Sequence, residues 1–135
     1  MLKDLGIKKV EGIAVAMIPE DETNCSDSIW TAYIVNLSDK KLTGILVNSR
    51  GYGDIGGETK KTSTLRWLID EVPPFSAAKI EELPPDLLQL ANEFWVSFYA
   101  DGEIYDKKYV FVQGSLVFEN LIDVPYLNDI GVMIK

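Results

Sequence analysis

Phe94-Trp95-Val96-Ser97-Phe98-Tyr99-Ala100-Asp101-Gly102-Glu103-Ile104-Tyr105-Asp106-Lys107-Lys108-Tyr109-Val110-Phe111-Val112 is the stretch whose reading decides the fold. Phe94 to Tyr99 and Ile104 to Val112 are rich in aromatic and β-branched residues, which suit a pleated, half-buried surface. Asp101-Gly102 between them supplies the positive backbone angles that a two-residue hairpin turn requires. The segment therefore predicts two antiparallel strands joined by a tight turn.

The rest of the chain repeats this pattern in shorter runs. Ile13, Val15 and Met17 share one side of a first strand near Val10 to Ile18, with Ala14, Ala16 and Ile18 on the other, and Pro19 with the acidic stretch after it closes the strand. Trp30 to Leu37 is aromatic and β-branched, and Ser38-Asp39-Lys40-Lys41 turns it into Leu42 to Asn48. Lys60 to Ile69 alternates, with Leu65, Trp67 and Ile69 pointing one way and Thr62, Thr64 and Arg66 the other. Pro73-Pro74 ends that strand, because proline has no N–H to give a ladder, and Phe75 to Leu83 follows as a shorter one. Helical character is confined to Leu83 to Leu90, where proline is tolerated in a first turn. One short helix is expected near residues 85–91. The tail, residues 114–135, is too apolar to hang free in water and must pack within the chain or on a partner. Seven or eight strands of this length predict a mainly all-β protein, an antiparallel β-sandwich spanning residues 1–135 as one domain, with a partly closed barrel as the competing architecture.

Composition narrows the chemistry. The 135 residues include no histidine and a single cysteine, Cys25, in the polar run from Asp21 to Asp27. Imidazole is the side chain most used for proton transfer near neutral pH and the commonest metal ligand, so cysteine–histidine pairs, histidine triads and histidine-bearing zinc sites cannot be assembled within one chain. Thirteen basic residues against twenty-one acidic ones leave a formal charge of −8, which repels phosphate backbones and anionic lipid. Neither nucleic acid nor a membrane is an expected partner. Met1 to Val10 holds no apolar run suited to a signal peptide, and no stretch of about 18 uninterrupted apolar residues occurs. A cytoplasmic location is the expectation.

The phosphate-binding patterns are incomplete. Gly51-Tyr52-Gly53-Asp54-Ile55-Gly56 has the G-x-G-x-x-G spacing, but Gly57-Glu58-Thr59 leads into a period-two segment, so the helix N-terminus that would hold a pyrophosphate is missing. Gly57 to Thr62 brings glycine, lysine and threonine together without P-loop spacing. The carboxylates of Glu20, Asp21, Glu22 and Asp27, of Asp70 and Glu71, and of Glu81, Glu82 and Asp86 lack the order of a calcium loop and read as solvated acids. No cofactor and no metal are expected. Trp30, Trp67 and Trp95 fall in predicted strands and read as core, unless one of them stands on an outer face beside Tyr99 or Tyr105 as an aromatic platform.

Val10 to Pro19, Tyr52 to Val72 with Lys61-Thr62-Ser63-Thr64-Leu65-Arg66 at its centre, and Glu93 to Val112 resemble a family of short bacterial proteins, some of which carry the name of a phenylalanyl-tRNA synthetase subunit. The resemblance covers about three quarters of the chain and rests on strand and turn residues. It implies a single bacterial domain and brings no catalytic residue. The chain has neither an adenylate-binding signature nor a basic surface for tRNA.

These observations point to a non-catalytic interaction or scaffold module. Its candidate contact element is the glycine-rich loop of Arg50, Gly51, Tyr52, Gly53, Asp54, Gly56 and Gly57, in which glycine frees backbone and Tyr52 supplies an amphipathic anchor. The partner is another protein or a second copy joined through the tail. The alternative is a binder of small ligands or carbohydrate that uses aromatic and carboxylate side chains.

Overall fold

The computed structural model describes residues 7, 8 and 10–135. Residues 1–6 and 9, most of the stretch read above for export signals, lie outside the described residues. The strands are β1 (Ile7–Lys8), β2 (Ile13–Pro19), β3 (Trp30–Asn36), β4 (Leu42–Ile55), β5 (Glu58–Lys61), β6 (Leu65–Val72), β7 (Ser76–Leu83), β8 (Ala91–Ala100), β9 (Glu103–Phe111), β10 (Ile122–Val124) and β11 (Asp129–Ile134). They form two sheets. One has the order β1-β9-β8-β4-β5, with β6 also on β4, and the other runs β10-β11-β2-β3-β7. All pairings are antiparallel except the two-residue parallel contact of β1 with β9. This is an all-β sandwich, not a closed barrel.

The hairpin of β8 and β9 forms as the sequence predicts, with Asp101 and Gly102 at positive φ. The predicted Lys60–Ile69 strand is instead two pieces on one edge of β4. Tyr52 pairs with Lys61 and Ser49 with Leu65, so three residues, Thr62 to Thr64, face two on β4. That is a bulge, and it lets one polypeptide arm follow the twist of a 14-residue partner. Together with the short β1 and β10, it accounts for more strands than the seven or eight read from alternation. The expected helix near 85–91 is a 3-10 segment, Pro85–Gln89. Its backbone makes tight bonds from Leu87 to Pro84 and from Leu90 to Leu87, and the extended conformation of Leu90 stops it there. No helix among the described residues is long and apolar enough to cross a membrane.

The core between the sheets holds Ile13, Val15 and Met17 from β2, Trp30 and Ile34 from β3, Val47 from β4, and Phe94, Tyr109 and Phe111 from the β8–β9 hairpin. Phe94 and Phe111 meet edge to face at 5.9 Å, the geometry that ring quadrupoles favour. Tyr109 ties the layers together by donating its hydroxyl to the Ile13 carbonyl at 2.9 Å. Leu116 and Val132 from the tail lie in this same core. On the other side of β2, Ala14, Ala16 and Ile18 are covered by Val124, Leu127 and Met133. Both faces of β2 are therefore buried, which explains its uninterrupted apolar run. Asn36, fully buried, donates its amide to the carbonyls of Lys40 (2.7 Å) and Pro73 (3.0 Å) and so joins the β3–β4 turn to the crossover between sheets.

Candidate functional site

The segment Arg50 to Gly57 is not a loop. Arg50, Gly51, Tyr52, Gly53 and Asp54 belong to β4, and only Gly56 and Gly57, at φ +60° and +82°, form the turn into β5. Alternation along the strand separates the residues. Arg50 and Tyr52 share the outer face of the sheet, while Gly51 faces the other way. On that outer face a buried carboxylate, Glu93, gathers both: Arg50 Nε donates to Oε2 at 3.0 Å, Arg50 Nη2 to Oε1 at 3.4 Å, and the Tyr52 hydroxyl to Oε1 at 3.2 Å. The Arg50 guanidinium also lies over the Tyr52 ring at 5.3 Å. Burial, then the hydrogen bond to Glu93, raises the Tyr52 phenol above its ordinary pKa. These contacts fasten the two side chains down. Gly53 lies against the Gln113 side chain: a Cβ there would stand 2.5 Å from the Gln113 amide carbon and displace that amide, which donates to the carbonyls of Asp54 and Gln89. Asp54 accepts from the Thr59 hydroxyl across the hairpin at 2.9 Å.

The same outer face carries an aromatic surface. Pairing of Asn48 with Trp95, Trp95 with Lys108, Tyr99 with Ile104 and Leu46 with Leu68 puts these side chains on one side of the sheet. Trp95 is 45 % exposed, Tyr99 50 %, Ile104 40 % and Leu68 79 %. Trp30, by contrast, is fully buried and Trp67 half-buried. The Trp95 indole donates to Asp106 and the Lys108 ammonium stands 5.4 Å over its ring, so the exposed indole is held in one orientation. The Tyr99 ring lies against Gly44, where a Cβ would come within 3.2 Å of it. Arg66 donates to Asn48 beside them.

A second feature lies at the open edge where β6 and β7 diverge. A cleft of about 180 Å³ runs between the sheets there, lined by Ser49, Leu65, Glu81, Leu83, Leu87 and Phe94 among others. Glu81 is 9 % exposed. Burial is the largest influence on its carboxyl and raises its pKa, while hydrogen bonds from Ser49 and Trp67 act in the opposite sense. Trp67 Nε1 also donates to Ser49 Oγ at 3.3 Å, which leaves the Ser49 proton for the carboxylate. Glu81 is therefore not the solvated acid that its place in the sequence predicts. The register passes from Ala32↔Glu81 to Tyr33↔Lys79, so Ile80 is an extra residue in a bulge. The phase of β7 reverses at that point: Ala78 and Ile80 face inward before it, Glu81 and Leu83 after it. A signal was present in the chain. Ile80 and Leu83 are an odd number of residues apart, which a regular strand cannot place on one face.

The remaining sequence candidates are dispersed. Cys25 donates to the Glu22 carbonyl, and burial raises its thiol pKa, which disfavours the reactive thiolate. Lys40 pairs with Asp101 at 2.8 Å and Lys60 with Glu58 at 3.0 Å. Among the described residues, no group of three or more His, Cys, Asp or Glu is arranged to hold a metal.

Fold and surfaces together define an all-β sandwich with an open aromatic face and a carboxylate-bearing cleft at one edge. No family model matches the chain, and no curated protein does. Among solved structures it is similar to the sporulation control protein Spo0M of Bacillus subtilis, with 12 % identity and a TM-score of 0.34 over 78 % of this chain and 51 % of that one. The chain thus spans about half the length of Spo0M.

Proposed function

We propose that this chain is a non-catalytic interaction module of the bacterial cytoplasm that binds another protein through the outer face of its six-stranded sheet. The observation that carries this reading is the placement of Trp95, Tyr99, Ile104 and Leu68 together on a solvent-facing surface. Exposed aromatic side chains held in fixed rotamers are the residue types that anchor protein interfaces, because they bury much area at small entropic cost. Arg50, Arg66 and Lys108 lie among them on a chain of net charge −8. Arg50 is paired with Glu93 and Asp106 holds the Trp95 indole, so the complementary partner is a protein segment that offers apolar side chains. The resemblance to short bacterial proteins belongs to the same proposal.

The test is capture from a native lysate with the wild-type chain, Trp95→Ala and Tyr99→Ala, followed by photo-crosslinking of the captured protein from a probe at position 97. A partner crosslinked at that position and lost in both variants, with their melting temperatures unchanged, supports the reading. A partner retained by both variants refutes it, as does crosslinking only from the Gly56-Gly57 turn. The small-ligand alternative draws on a different place. Trp95 already has one ring face under Lys108, whereas the Glu81 cleft is open.

A further inference from the structure

We propose that the cleft at the β6–β7 edge is a binding site for a small primary ammonium ligand carrying a short apolar group. Arg50 and Glu93, paired with each other, also border the cleft, but it is distinct from the aromatic patch, because Ser49, Glu81, Leu83 and Phe94 point between the sheets whereas Trp95 and Tyr99 point away from them.

Three features converge on one chemistry. The first is a buried carboxylate with apolar side chains beside it: Glu81 lies with Leu83, Leu87 and Phe94 along the cleft, and none of the ion pairs among the described residues includes it. Its contacts from Ser49 and Trp67 are neutral donors. A buried carboxylate that lacks a cation gains most from one brought by a ligand, since charge-assisted hydrogen bonds strengthen where water is excluded. The second is the pair of bulges on facing walls. The one at Ile80 turns Glu81 inward, and the one on the opposite wall spans Thr62 to Thr64, with Thr62 still bonded to Gly51 of β4. Bulges at such places re-aim side chains and open strand edges. A regular β7 would have continued the phase of Ala78 and Ile80, turning Glu82 inward and both Glu81 and Leu83 outward beside Lys79, so the bulge is what sets Glu81 and Leu83 together in the cleft. The third is size. About 180 Å³ is close to the roughly 150 Å³ that holds benzene in an engineered cavity, and below the roughly 300 Å³ at which drug-sized pockets begin. A single small ring or a short alkyl chain fits, with Leu65, half-exposed at the mouth, closing over it.

The experiment is an NMR titration of the isotopically labelled full chain with benzylamine and, separately, with its neutral isostere benzyl alcohol. The expected result is a saturable shift of the Trp67 indole and of the Leu83 and Leu87 methyl groups with benzylamine, and binding at least about tenfold weaker in Glu81→Gln, the loss of one charge-assisted bond. If Glu81→Gln fails to fold, Leu65→Trp, which fills the mouth and spares the carboxylate, is expected to block the titration. The proposal is overturned if benzylamine gives no saturable shift, if benzyl alcohol binds as tightly, or if the folded variant binds as well as the wild type. Trp95→Ala separates this site from the docking face. It is expected to leave the benzylamine curve in place, and weakening there would put the amine on the aromatic face and refute the cleft.

Discussion

Replacing Tyr109 with phenylalanine removes one oxygen atom from the middle of the sandwich. The Tyr109 ring is 1 % exposed, and its hydroxyl donates across the layers from β9 to the Ile13 carbonyl of β2 at 2.9 Å. The substitution keeps the ring and its packing, deletes the bond, and leaves that lone pair of the carbonyl without a donor. Losses of this kind cost about 1–2 kcal/mol. For 135 residues, an unfolding entropy of about 2.1 cal/mol/K per residue gives about 0.28 kcal/mol/K, hence a fall in Tm of about 4–7 °C. Urea unfolding near neutral pH, with calorimetry beside it, measures both. The pH dependence gives a second reading. Burial pushes the Tyr109 phenol far above its ordinary value, so the folded state keeps a proton that the unfolded chain releases from about pH 10 upward. Stability held by Tyr109 is complete below that pH and declines above it. The gap between wild type and Tyr109→Phe is expected to narrow there. A gap under about 0.3 kcal/mol at neutral pH would show that the hydroxyl does not link the sheets, and one that stays constant into alkali would show that the phenol is not held buried.

Glu81→Gln is expected to gain stability relative to the wild type as pH rises from about 4, where a carboxyl is protonated in the unfolded chain too, toward neutrality. The raised carboxyl pKa means that the folded wild type loses stability over that window and glutamine does not; parallel urea midpoints across the range test it, and parallel curves would refute it. Trp95→Ala is expected to weaken the protein partner about 100-fold. A tryptophan of about 250 Å², 45 % exposed, leaves about 110 Å² to bury, worth about 2.8 kcal/mol. Titration calorimetry reads this, and a change below about fivefold would remove Trp95 from the interface. Truncation after Gly114 is expected to abolish cooperative unfolding, because it strips Leu116 and Val132 from the core and uncovers Ala14 and Ala16. A truncated chain that folds and halves its mass in light scattering would make the tail a dimer seam instead.

Much of the architecture can be read from local chemistry. Alternation and turn residues fall within one chain neighbourhood, so Asp101-Gly102 and the aromatic runs beside it identify their hairpin without reference to anything distant. Chain-wide counts, such as the absence of histidine and the charge of −8, likewise bound the chemistry before any coordinates. The sites required tertiary structure. Alternation assigns a residue to one of two faces but cannot say which face is covered, and Trp30, Trp67 and Trp95, alike in sequence, end up buried, half-buried and exposed. Arg50 and Tyr52 read as a loose loop because their partner, Glu93, lies about forty residues away on another strand. Glu81 reads as one more surface acid because a single extra residue, Ile80, reverses the phase of its strand. Period, turn and composition are properties of neighbours along the chain, whereas burial and pairing depend on which strands meet across the sandwich.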